Sequence, residues 1–279
     1  MEDTCKFPHN SDLYGIGIRV GLYCQWLTSL ASQIYVPAEA PATQATSQLF
    51  QTAVLISLVI LTATRSIYQP EVIIVLSLSF GGFLTSHHLP DLVNDQASIP
   101  RRAVAVINFG AFVAYCCWFW SRGAQKLQEQ HPDCVFVTML FGRWKIIALR
   151  TFGIVMSSIG CFVFLVVAAA YTRRVSVLVA QDGVKTSLRY LIPVTGAPGV
   201  ATRDSKPRWQ TWLQITVALL AQSNVIAMVE LTLRWNPQQD YQTVLAAGQM
   251  IPLVIGVSGL VRILYLVLTS QLRVRLGIS

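Results

Sequence analysis

The stretch Arg150 to Tyr171, RTFGIVMSSIGCFVFLVVAAAY, decides the fold class, because after its first residue it contains no charged side chain. A helix rising about 1.5 Å per residue needs roughly 20 mainly apolar residues to cross a hydrocarbon layer about 30 Å thick, and this stretch meets that need. Working outward, six more stretches qualify, so the spans fall at 14–34, 49–68, 71–89, 103–120, 150–171, 210–235 and 243–269. The expectation is an all-α, polytopic membrane protein, a seven-transmembrane-helix bundle forming a single domain over 1–279.

Composition agrees: of 279 residues, 53% are hydrophobic and only 12% charged, values that suit a lipid rather than an aqueous solvent. The first apolar stretch carries Arg19 and Gln25 and lacks a basic leader and a small-residue cleavage site, so it reads as a retained span. The net charge of +8 is explained by basic residues flanking apolar spans rather than by nucleic acid, so the lipid bilayer is the expected partner. Eleven basic residues lie in the loops on the side of the C-terminus and eight on the side of the N-terminus. That balance favours a luminal N-terminus and a cytoplasmic C-terminus, with the endoplasmic reticulum as the expected compartment.

Cys5 and Cys134 fall outside the spans on one predicted side, so they form either a disulfide or two free thiols. Two longer connections remain. The connection 121–149 holds an apolar run, Cys134 to Phe141, too short to cross and suited to the interface or the mouth of the bundle. The connection 172–209 reads as a solvated loop. In the first span the Gly17-x-x-x-Gly21 spacing suits close helix packing, and Pro252 between Gly248 and Gly256 permits a kink in the last.

Charged side chains in hydrocarbon cost at least about 2.5 kcal/mol and normally face the bundle interior with a partner. Glu230 is the acid set most clearly within a span. Thr216, Ser223 and Glu230 recur every seven residues with Arg234 four further on, so one helix face carries them and is expected to look inward. Two readings stand: a Glu230–Arg234 pair that pins the helix end, or a buried acid that donates a proton.

Antiparallel connectivity brings Asp12, Arg19, Arg65, Glu71, Glu230, Asn236 and Gln249 to one depth, with Gln25 nearer the bilayer middle. Tyr14, Tyr68, Trp118, Phe119, Trp120, Trp235 and Tyr241 gather at the same level, either as an interfacial belt or as walls that steady a cation. On the opposite side, His87-His88-Leu89-Pro90-Asp91 with Asn94 and Asp95 superficially resembles a metal site, but its spacing suits an ordinary turn after a helix-ending proline. The Asp-Asp-x-x-Asp pattern that holds magnesium on a diphosphate is absent, as is Gly-x-Ser-x-Gly.

Three stretches, Asp12-Leu13-Tyr14-Gly15-Ile16-Gly17-Ile18-Arg19, Glu230 through Asn236, and Gly248-Gln249-Met250-Ile251-Pro252-Leu253, together resemble a group of fungal multi-span membrane proteins of secondary-metabolism clusters. The resemblance extends to the membrane-bound terpene cyclases of ascofuranone-like and macrophorin-like meroterpenoid pathways. It implies cyclisation of a farnesyl chain on an aromatic or quinone-like core, begun by protonating an alkene or epoxide, with no cofactor and no metal. It carries no motif that transfers catalytic residues, so the roles come from chemistry. Such a site needs a proton donor in a water-poor setting, groups that position it, and aromatic walls. Glu230 is the candidate acid, with Asp12 or Glu71 receiving the final proton. Arg19, Gln25, Asn236 and Gln249 are candidates for orienting the acid or binding a lipophilic prenylated substrate, and Trp118 or Trp235 for shielding the cation. An arginine against Glu230 would weigh against its acid role. The competing classes are a non-enzymatic seven-helix receptor, a transporter and an accessory protein. The receptor motifs Asp-Arg-Tyr and Asn-Pro-x-x-Tyr are missing, and a transporter would show paired broken helices.

Overall fold

The structure is a computed structural model that describes residues 10–86, 99–130, 132, 134–140, 142–191, 208–236 and 247–276. Its described elements are α1 (Ser11–Tyr14), α2 (Ile16–Tyr35), α3 (Ala40–Ala63), α4 (Gln69–Ser86), α5 (Ile99–Trp118), a π-turn (Phe119–Gly123), α6 (Ala124–Gln130), strands β1 (Val137–Met139) and β2 (Arg143–Lys145), a 3-10 turn (Ile146–Leu149), α7 (Arg150–Leu191), α8 (Arg208–Trp235) and α9 (Ala247–Leu276). Seven of these helices are long, and a two-stranded hairpin is the one departure from an all-α fold among the described residues.

Among the described residues, five helical stretches are long and apolar enough to cross a membrane: Ala40–Ala63, Arg102–Gln130, Ile146–Val177, Ile215–Trp235 and Gly248–Ser270. Gln69–Thr85 is apolar but shorter. The helix Ile16–Tyr35 has the length, but its Arg19, Gln25 and Gln33 dilute its hydropathy. The apolar surface confirms the solvent. Phe162 is 68% exposed, Leu220 66% and Leu268 62%, which water would penalise at roughly 25 cal/mol per Å² and hydrocarbon would not. The chain is a polytopic helical membrane protein.

Helix ends differ from the sequence expectation where local chemistry acts. The expected second span, 49–68, begins instead at Ala40, where Pro41 suits a first turn, and stops at Ala63. It stops because Arg65 adopts a left-handed φ of 57° and Ser66 N–H donates back to Leu61 O at 3.0 Å. The stretch 172–209, expected to be loop, continues α7 helically to Leu191. The stretch 121–149 holds α6 and the hairpin rather than coil.

Where the sequence reads as a single domain, contacts gather into two compact units, one comprising 1–86, 133–144 and 201–279, the other 87–132 and 145–200. In unit one, α4 is the innermost helix, with Val72, Ile73, Ile74, Val75 and Leu78 all buried; it packs against α2, α3, α8 and β1. The closest helix pair is α2 with α9. A Cβ on Gly17 would lie 2.6 Å from the carbonyl of Gln249, and Cβ atoms on Gly21 and Gly256 would run into the backbones of Pro252 and Gly21. The glycine spacing of α2 and the Pro252 and Gly256 positions of α9 thus serve one crossing.

In unit two, α5 packs along α7. Phe164 lies over Gly110, Trp120 over Gly153, and the Sγ atoms of Cys117 and Cys161 are 3.3 Å apart. At the π-turn, where i→i+5 bonding widens the turn, Arg150 donates to Trp120 O at 3.2 Å and also to Ser121 O.

Candidate functional site

Unit one collects the polar side chains at the start of α2, the start of α4 and the end of α8. Gly15 makes this arrangement: its extended ψ of 163° ends α1 and turns the chain into α2. At this turn the Tyr14 carbonyl accepts from Arg19 Nε at 3.0 Å. Tyr14 is fully buried and its phenol donates to Glu71 Oε1 at 2.8 Å, while the backbone N–H of Asn10 donates to the phenol oxygen at 3.3 Å. Glu71, 2% exposed in the first turn of α4, takes a second hydrogen bond at Oε2 from Tyr68 N–H at 2.8 Å.

The other carboxylate is Glu230. Arg19, buried to 5% exposure, pairs through Nη1 with Glu230 Oε2, and Tyr23 donates to Glu230 Oε1 at 3.0 Å. Arg19 and Tyr23 are one turn apart on α2, so a single helix face holds both. The result is a chain of contacts, Glu71 to Tyr14 to Arg19 to Glu230 to Tyr23, drawn from four helices, α1, α2, α4 and α8.

Several expectations are corrected here. The face carrying Thr216, Ser223, Glu230 and Arg234 is exposed, whereas the buried stripe of α8 runs through Gln222, Val225, Val229, Thr232 and Asn236. Glu230 is therefore held not by Arg234 on its own helix but by Arg19. Asn236 does not point a free amide at a substrate. Its Oδ1 accepts from Val137 N–H at 3.0 Å, and its Nδ2 donates to Val137 O and Thr232 O, each at 2.6 Å. It clamps β1 to the end of α8, helped by the Thr138–Thr232 hydroxyl pair at 2.8 Å. The apolar run from Cys134 accordingly tucks in, with Phe136 and Thr138 buried and the Phe136 ring edge-on to Tyr68 at 6.4 Å.

The remaining candidates are scattered. Gln249 is fully buried and its Oε1 accepts from Gly17 N–H at 3.4 Å, tying α9 to α2. Asp12 is exposed and sits over Gly248. Gln25 is buried, and neither side-chain atom has a hydrogen-bond partner. Trp235 lies under the guanidinium of Arg143, 5.8 Å from ring centroid to Cζ. Trp118 belongs to unit two, where its ring lies 5.4 Å from that of Tyr115; the Glu71–Glu230 network is formed within unit one alone. Arg65 is exposed in its turn.

Tyr23 was not among the sequence candidates; the signal that could have found it is its i+4 spacing from Arg19. Cys134 is disulfide-bonded, while Cys5, the stretch His87 to Asp95 and Tyr241 lie outside the described residues. Among the described residues no group of three His, Cys, Asp or Glu side chains converges.

Comparison with protein-family models, with curated proteins and with solved structures returned no match.

Proposed function

We propose that this chain is a membrane-bound terpene cyclase of fungal secondary metabolism. It acts on a prenylated, farnesyl-type meroterpenoid or its epoxide by protonation-initiated, metal-independent cyclisation, with all seven long helices crossing the bilayer. The single observation that carries the reading is the pair of carboxyl groups, Glu71 and Glu230, each hydrogen-bonded to a tyrosine and joined through Tyr14 and Arg19.

The two acids are held differently, and that difference supports opposite roles. Glu230 is engaged in an ion pair with the Arg19 guanidinium and also accepts from the Tyr23 phenol. Glu71 is buried and has no salt-bridge partner among the described residues, and a lone buried charge is expensive, so Glu71 replaces Glu230 as the proton donor. In the reaction, the Glu71 proton passes to the terminal alkene or epoxide oxygen, and neighbouring π-electrons close the rings. The last cation loses a proton to a carboxylate, and the net change is an isomerisation that consumes no cofactor. Tyr14, which donates to Glu71 and accepts from Asn10, is placed to return a proton to it.

The disulfide at Cys134 supports a compartment that is oxidising on that side. With the excess of basic residues on the C-terminal side, it favours the endoplasmic reticulum with a luminal N-terminus.

The test is expression of the chain in a yeast host and incubation of its microsomes with farnesylated phenols and their epoxides, with and without EDTA. A cyclised isomer that persists in EDTA is the expected product. No turnover of any prenylated substrate would move the assignment to a non-enzymatic receptor, transporter or accessory protein.

A further inference from the structure

Deeper in unit one, α2, α3 and α4 meet at Gly81 and Gly82. The absence of side chains there lets Trp26 of α2 lie against Gly81 and the amide of Gln51 of α3 lie against Gly82. Gln51 is 3% exposed, yet neither its Nε2 nor its Oε1 has a hydrogen-bond partner. The same holds for the indole Nε1 of Trp26, 1% exposed, and for the hydroxyl of Ser79, 2% exposed. Ser79 is three residues before Gly82 and so lies on its side of α4. One turn beyond Gly82, Gln33 donates Nε2 to Thr85 O at 2.7 Å and leaves its Oε1 without a partner.

Unpaired polar groups in a helical interior are costly, and natural proteins rarely keep several together. On the Gly82 side of α4 they include donors (Gln51, Ser79) and acceptors (Gln51, Gln33), and none of them is charged. A neutral group that both donates and accepts, such as a phenol or hydroxy-carbonyl, complements that set; a phosphate or an ammonium does not.

We propose that Gln51 and Ser79, beside Gly82 of α4, form the seat for the neutral, oxygenated head group of a lipophilic ligand. The position along α4 extends the cyclase reading, on which the identity of the ligand as substrate rests. Glu71 and Gly82 are eleven residues apart, three turns, and therefore share a face about 16 Å apart along the axis, with Val75 and Leu78 between them. That spacing sets the length of prenyl chain that would join a head group held at Gly82 to the carboxyl of Glu71.

The experiment uses the full chain purified in detergent and compares binding of a farnesylated phenol with that of its O-methyl ether, which cannot donate. Binding is read as a thermal shift and turnover is followed separately. Wild type is expected to prefer the phenol at least tenfold. Gln51→Leu is expected to lose that preference while keeping or raising the Tm of the ligand-free protein, since an unpaired amide is removed. Ser79→Ala, a smaller change, is expected to reduce the preference severalfold and guards against a folding defect in the first variant. Phenol preference lost in both variants, with no cyclised product from wild type, would uphold the seat and remove the cyclase reading. Cyclisation by wild type with the preference unchanged in Gln51→Leu and Ser79→Ala would overturn the seat and leave the cyclase reading. Equal binding of phenol and ether by wild type would overturn it as well.

Discussion

Arg19 and Glu230, 211 residues apart in the chain, form a salt bridge in which the arginine side chain is 6% exposed and the glutamate 46%. The asymmetry matters. Arg19 has been drawn into the helix interface and depends on its partners, whereas Glu230 keeps access to its surroundings. A double-mutant cycle with Arg19→Met and Glu230→Gln is therefore expected to give a coupling of about 1 kcal/mol, the range of a half-exposed pair rather than a fully buried one. Arg19→Met alone should cost more, because the bond to the Tyr14 carbonyl is lost too. Thermal unfolding in detergent measures both, and zero coupling would show that the pair is incidental.

Glu71 is the acid in the proposed reaction. Glu71→Gln preserves the shape and the hydrogen bond from Tyr68 N–H but cannot deliver a proton, so turnover is expected to fall by about 100-fold or more with the Tm little changed. Tyr14→Phe should fall by less, about tenfold, if the phenol only resupplies the proton. Full activity in Glu71→Gln microsomes would exclude the assigned role.

Glycines at the α2–α9 crossing are required by contact distance. Gly21→Ala places a methyl group against the Pro252 backbone, which cannot yield as a flexible side chain can, and is expected to destabilise by about 1–3 kcal/mol. Gly160→Ala serves as the control, since its Cβ would meet Val113 at an ordinary 3.5 Å. Comparable Tm values for the two variants would contradict the crossing.

Asn236 holds β1 through two hydrogen bonds, to the amide and the carbonyl of Val137, and is itself anchored to Thr232 O by a third. Asn236→Ala leaves the buried Val137 amide and carbonyl without those partners, an expected loss of about 1–3 kcal/mol. Hydrogen exchange at Val137 should accelerate in the variant before that of the helices does. Unchanged protection at Val137 would mean that the strand is held by other contacts.

Much of this was legible in the residues. The run from Arg150 to Tyr171 forces a membrane-spanning reading because lipid offers no partner for a polar backbone outside a helix, and each long helix overlaps an expected apolar stretch, although α3 begins earlier and α7 runs further than expected. The convergence of Arg19, Glu71 and Glu230 followed from antiparallel connectivity alone. The inward face of α8 was misread because periodicity marks which residues share a face and not which face a neighbour covers. Asn236 was misread for a related reason: its partners, Val137 and Thr232, are satisfied backbone groups, one of them 99 residues away in a strand too short to announce itself.

Hydrophobic length and the placement of charge, both local properties, thus determined by themselves that the chain is helical, crosses the membrane repeatedly and carries acids near helix ends. Which cation meets which acid, that Tyr23 joins them, and that Gln51 reaches α4 at a glycine were decided only in three dimensions. Those pairings depend on helix rotation and on a few contacts of ångström tolerance, and neither is written in the spacing of residues along one helix.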